Sequence, residues 1–204
     1  MQLILKNKTF ALKSATLSAT VPDPYWLRKY HPKGDARLFW SLDVEAAPES
    51  GDDGWEPRAS HENLHFPIWR WMEVSGQVVE WSEPHDEESG ELNGWFYVFE
   101  HEEIPRARLR FMERSGVAFR FEWEGVCNIL WDEDYDRDVP FSASGWAKFT
   151  GVTVLGSESD TDETLRGRLA AYLDPRDFVQ GPLQRVGHRY DSGVKMAHAS
   201  FIPL

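Results

Sequence analysis

The sequence predicts a mainly β protein, an antiparallel sheet or sandwich with one amphipathic helix near residues 161–173. Two observations carry this. From Arg106 to Glu124, apolar and charged residues alternate with period two, which turns one face of each strand toward a core. By contrast, the longest helical spacing is confined to Leu165, Leu169, Tyr172 and Leu173.

In chain order, Leu3-Ile4-Leu5 and Phe10-Ala11-Leu12 flank a turn near Asn7 and read as a hairpin. Asp23-Pro24 before YWLRKY has the form of an N-cap with proline at the first helical position, and Pro32 and Gly34 close that short helix. Arg37 to Glu45 reads as a strand, and Glu49 to Arg58 as a Gly-, Asp- and Pro-containing loop. Trp95 to Phe99 is a continuous aromatic strand. Ala107, Leu109 and Phe111 then alternate with Arg106, Arg108 and Arg110. After the turn Glu113-Arg114-Ser115-Gly116, Val117, Phe119, Phe121 and Trp123 alternate with Ala118, Arg120, Glu122 and Glu124. Two such runs make a hairpin with one buried face, and the arginines of one strand pair with the glutamates of the other. Trp146 to Leu155 is a further strand. Asp160 with Glu163 resembles a capping box for the helix, Asp174-Pro175 ends it, and Val194 to Ile202 returns as a last strand. Residues 1–204 read as one domain.

Composition narrows the functions. The chain carries 34 acidic against 22 basic residues, a formal net charge of −12, so phosphate backbones are repelled and nucleic-acid binding is not expected. The same field speeds encounter with a basic protein. A single cysteine, Cys127, leaves no internal disulfide to mark an extracellular life, and its apolar surroundings suggest a buried, inert thiol. Neither a signal peptide nor an 18-residue apolar segment is readable, so the expected location is cytoplasmic, without membrane insertion. No nucleotide loop, dinucleotide fingerprint or nucleophile elbow occurs, and no cofactor is called for.

Ser60 to Pro67, SHENLHFP, spells H-E-x-x-H. A zinc protease needs both histidines on one face of a stable helix, with the glutamate polarising a metal-bound water. Here Pro57, Ser60 and Pro67 leave room for at most about two helical turns. A third ligand would have to come from His85, His101 or a carboxylate. The expectation is a coincidence of letters in a surface loop leading to a strand at Ile68-Trp69-Arg70-Trp71. The competing expectation is a zinc-dependent hydrolase with His61 and His65 as ligands and Glu62 beside them.

The acidic residues are clustered. Asp132, Asp134, Asp136 and Asp138 occupy alternate positions, and if extended they share one face. Arg137 stands where an EF-hand loop needs glycine, and Ala143 where it needs glutamate. Further clusters are Glu49, Asp52, Asp53 and Glu56, then Glu83, Asp86, Glu87, Glu88 and Glu91. Trp55, Trp81, Trp95 and Trp131 stand beside or within them. Buried aromatic anchors supply interface energy while surrounding charges set the on-rate. Of the ten tryptophans, Trp95 and Trp123 are expected in the core and Trp55 outside it.

This profile of a small, acidic, aromatic-rich chain without a catalytic motif is similar in composition to that of bacterial immunity proteins. The resemblance implies a non-catalytic module that binds and neutralises a basic partner such as a toxin. Its contact residues would be Asp132, Asp134, Asp136, Asp138, Trp55, Asp52, Asp53, Glu87 and Glu88. A carbohydrate-binding β-sandwich, using exposed tryptophans and calcium at Asp132 to Asp138, is the remaining alternative.

Overall fold

The computed structural model describes residues 1–25, 27, 37–48, 56–87, 90–98, 100–130, 135–188 and 195–204. The N-terminal hairpin is present as β1 (Gln2–Leu5) and β2 (Lys8–Val21), with Lys6 at a φ of 55° in the turn. Asp23 caps as expected. Its side chain accepts the Tyr25 N–H at 2.8 Å and its carbonyl accepts the Leu27 N–H at 3.1 Å; the rest of that predicted helix lies outside the described residues. β3 (Phe39–Ala46) and β4 (Arg58–Leu64) follow, then β5 (Val78–Trp81), β6 (Trp95–Val98) and β7 (Glu100–Glu103).

The predicted hairpin is β8 (Arg106–Ser115) paired with β9 (Ala118–Cys127), with Leu109 opposite Trp123 and Phe111 opposite Phe121. Phe119, Phe121 and Trp123 are fully buried, and each such side chain contributes roughly 1.5–3 kcal/mol relative to exposure. The outward residues pair as charges. Arg110 bonds Glu122 across the hairpin, Arg120 reaches Glu113 at 2.9 Å, and Arg108 turns away to Glu80 on β5 at 2.8 Å. Pairs this exposed add little to stability.

β10 (Val139–Ser157) is the spine. Its first half runs antiparallel to β9 and β1; its second half runs antiparallel to β13 (Lys195–Pro203) and parallel to β2. The parallel pair departs from an all-antiparallel sheet. It arises because β2 outruns the four-residue β1 and meets the continuation of the strand that β1 had been pairing with. The change of partners coincides with a register shift between Phe149 and Val152, where Gly151 adopts a φ of 118°. A Cβ at Gly151 would stand 2.2 Å from the Phe201 carbonyl oxygen, so glycine is required both by the dihedral and by the close approach of β13. Two short strands, β11 (Phe178–Gln180) and β12 (Gln184–His188), also pair with β13.

The main path through the sheet is β5-β8-β9-β10-β1-β2-β3-β4-β6-β7. It rolls onto itself. Rings from the β3–β6 side meet rings from the β8–β10 side: Trp40 with Phe149 at 5.3 Å, Phe66 with Phe111 at 5.6 Å, and Phe96 with Phe141 at 5.4 Å. Among the described residues the terminal strands β5 and β7 share no ladder. The Trp81 indole N–H instead donates to the Ile104 carbonyl just beyond β7, at 2.8 Å.

Ile68 to Trp71 is not the expected strand. Glu73 accepts the Trp69 and Arg70 amides at 2.9 and 3.0 Å and so starts a 3-10 turn at Trp71–Val74, which places Trp71 between Phe119 and Phe149. The helix α1 (Asp162–Leu169) buries Leu165 and Leu169, with Leu173 beyond its end also buried. Its cap is Thr161, whose hydroxyl accepts the Thr164 N–H at 3.2 Å, and not Asp160. Asp160 instead accepts the Ser157 N–H at 2.6 Å and pairs with Arg168 at 2.9 Å, tying the helix back to β10. Downstream, Arg70 grips the buried Asp177 through two hydrogen bonds of 2.9 and 2.6 Å. Asp174 accepts three guanidinium bonds and the amide of Arg176, which hold its carboxyl down at about 2. Among the described residues no helix is long and apolar enough to cross a membrane.

Candidate functional site: an acidic cleft beside β5

Of the residues predicted to meet a partner, Trp55, Asp52, Asp53, Glu88, Asp132 and Asp134 lie outside the described residues. Asp136 and Asp138 are exposed but do not form an extended acidic face. Asp136 accepts the Arg137 N–H at 2.8 Å, and Asp138 has a φ of 56° in a turn. Asp138 is also engaged by Arg106 at 3.0 Å. Period-two reasoning fails there because the chain is turning into β10. Trp95 is half-buried rather than core: it lies against His101 at 4.7 Å, with Arg58 over its ring, and its neighbour Phe96 takes the interior position.

The H-E-x-x-H residues are on a strand. Ser60 to Leu64 belong to β4, so the helical face a zinc protease requires does not form. His61 points inward and is 3% exposed, Glu62 points out, and His65 follows the strand end as an exposed residue. Between His61 and Leu64 the β4 register gains one residue on its β3 partner, a bulge at Glu62-Asn63. The bulge turns the Asn63 amide back onto its neighbour, so that Asn63 N–H donates to His61 Nδ1 at 3.2 Å. No group of three or more His, Cys, Asp or Glu side chains among the described residues is arranged to hold a metal ion.

What β4 builds is one wall of a cleft of about 520 Å³, whose opposite wall is β5 and the loop after it. His61 and Asn63 face Trp81, Glu83, Asp86 and Glu87 across it. The Trp81 ring stands edge-on to His61 at 4.8 Å and continues inward to Trp123 at 6.2 Å, which anchors the β5 wall to the core. The 83–93 loop is tied to β4 by Asn63 Nδ2, which donates to Glu91 at 2.8 Å, and is closed by Asp86 N–H to the Glu91 carbonyl, also 2.8 Å.

Electrostatics in the cleft are set by burial. Desolvation pushes His61 down from 6.5 to about 3, against the opposing field of Asp86, so its ring is neutral at neutral pH. Burial, and then the charge of Arg37, also lower His65. With Nδ1 accepting from Asn63, the proton of neutral His61 resides on Nε2. That N–H has no hydrogen-bond acceptor among the described residues. Among the described lining residues the remaining charges are the carboxylates of Glu80, Glu83, Asp86 and Glu87 and the guanidinium of Arg37. A second, more open depression of about 640 Å³ also borders Glu80–Ser82. Both of its arginines are already engaged, Arg108 with Glu80 and Arg106 with Asp138.

Cys127 is fully buried, its thiol donates to the Val139 carbonyl at 3.7 Å, and burial raises it to about 12. The part of the site that sequence reasoning missed is the pairing of His61 with the Glu83–Glu87 loop. The indole at Trp81, standing just before that acidic run, was its visible trace. No family model, characterised protein or solved structure matches this chain.

Proposed function

We propose that this chain is a non-catalytic, cytoplasmic binding module that captures a basic protein partner, in the manner of an immunity protein blocking a toxin. The observation that supports it is the juxtaposition of an aromatic anchor with a cluster of carboxylates. Trp81 lies beside Glu83, Asp86 and Glu87 on a cleft with one arginine among its described lining residues, in a chain of net charge −12. Such a surface draws in cations from a distance and offers an indole to bury on contact. The test is capture from lysate of the native host on the immobilised protein, followed by association kinetics of the purified partner at about 50 and 300 mM salt. A basic partner whose on-rate falls steeply with salt supports the reading. Capture of acidic or neutral proteins alone, or an on-rate indifferent to salt, refutes it.

A further inference from the structure

We propose that the cleft between β4 and β5 is the subsite for an extended, arginine-bearing segment of that partner. In this arrangement a backbone carbonyl accepts from His61 Nε2–H, and the guanidinium lies along Trp81 toward Glu83 and Glu87. The inference rests on the binding-module reading and makes it specific.

Four features converge. The first is His61: a neutral, buried ring with one nitrogen satisfied and the other a donor into the cleft. That donor nitrogen is not among the polar atoms sealed in the interior without a partner, so it opens onto the cleft, where a ligand carbonyl can accept from it. An occupant that brings an acceptor as well as a charge therefore uses this donor, and one made only of cations does not. The second is the charge balance. Glu83 and Glu87 are exposed and have no ion pair among the described residues, whereas Glu80 is held by Arg108. Arginine is the natural complement, because its planar guanidinium pairs with carboxylates in a fork and stacks on aromatic faces. The third is the edge. β5 ends the main path of the sheet and, among the described residues, pairs with β8 on one side only, which leaves backbone groups of Val78–Trp81 available to a further extended chain. The fourth is size: about 520 Å³ falls within the range of sites that enclose a few residues of peptide.

The probe is the capped tripeptide acetyl-Val-Arg-Val-amide, compared with the same peptide carrying citrulline, the neutral isostere of arginine, in place of arginine. Binding is followed by 15N NMR of the His61 ring and the Trp81 indole in the full chain. The arginine peptide is expected to shift both signals saturably, with His61 remaining in its Nε2–H form. Citrulline, and separately the surface double variant Glu83→Gln/Glu87→Gln, should each weaken binding by about tenfold, the scale of one lost charge-assisted hydrogen bond. His61→Phe keeps a ring of similar size without the donor and should weaken it by about fivefold or more. If the arginine peptide leaves His61 and Trp81 unmoved, or binds no better than the citrulline peptide, the subsite is refuted. The two readings fail differently. A captured basic partner whose affinity is unchanged by Glu83→Gln/Glu87→Gln and by His61→Phe keeps the module and removes this cleft from its interface. Peptide binding without any basic partner keeps the cleft and removes the proposed function.

Discussion

Lowering the pH should destabilise this protein through one side chain well before its carboxylates titrate. His61 holds about 3 in the folded chain against 6.5 unfolded. The folded state therefore refuses a proton that the unfolded chain accepts. Stability is intact above 6.5 and is lost progressively as pH falls from 6.5 toward 3. At about 1.36 kcal/mol per pH unit the whole effect amounts to roughly 5 kcal/mol, and about 2 kcal/mol of it falls between pH 7 and 5. The cause is desolvation inside β4, with Asp86 offsetting a minor part. Urea unfolding at pH 7 and 5, on the wild type and on His61→Phe, measures it. The wild type should lose about 2 kcal/mol more than the variant over that interval. Comparing the two proteins cancels the smaller contribution of His65, which is also lowered. Equal losses, or a native His61 ring that titrates near 6.5 by NMR, would refute the burial argument.

Three further outcomes follow from the packing. Cys127, raised to about 12, should resist a thiol reagent at pH 8 in the native state and react at once in denaturant; rapid native labelling would contradict its burial. Gly151→Ala forces a Cβ against the Phe201 carbonyl at a strongly positive φ and should cost at least about 3 kcal/mol in urea unfolding. The indole N–H groups of Trp123 and Trp81 differ, since the first is buried without a partner and the second donates to Ile104. Replacing each by phenylalanine should therefore be milder at Trp123 than loss of ring volume alone implies, because an unsatisfied donor worth about 1–3 kcal/mol leaves with it. At Trp81 the same change strands a carbonyl, and a larger fall in chemical stability per atom removed is expected there.

Strong periodicity was legible and weak geometry was not. Arg106 to Trp123 declared its strands because every second residue met the core, and β8 and β9 run as that spacing requires. The helix declared itself by Leu165 and Leu169, but its cap moved from Asp160 to Thr161, because two adjacent residues of good capping type compete and the backbone chose the one with extended dihedrals. Trp95 misled because a run of consecutive aromatics hides which members face inward; pairing with β4 and β7 assigned Phe96 to the core. The parallel contact of β10 with β2 left no local trace, since it depends on strand lengths set more than a hundred residues apart.

The histidine motif shows why spacing has no meaning until a secondary structure is assigned to it. On a helix, positions four apart share a face, and H-E-x-x-H brings two imidazoles to one metal. A regular strand would also place His61 and His65 on one side, about 13 Å apart at the rise of an extended chain and too far for a common ion. The bulge at Glu62-Asn63 breaks even that relation, sending Leu64 to the core and His65 to solvent. The same bulge delivers the Asn63 amide to His61 Nδ1 and thereby fixes the proton on Nε2. A local irregularity thus removes the zinc reading and supplies the donor on which the arginine subsite depends. His61 mapped as the Nδ1–H tautomer would mean the bulge bond is not made, and the case for a carbonyl acceptor in the cleft would go with it.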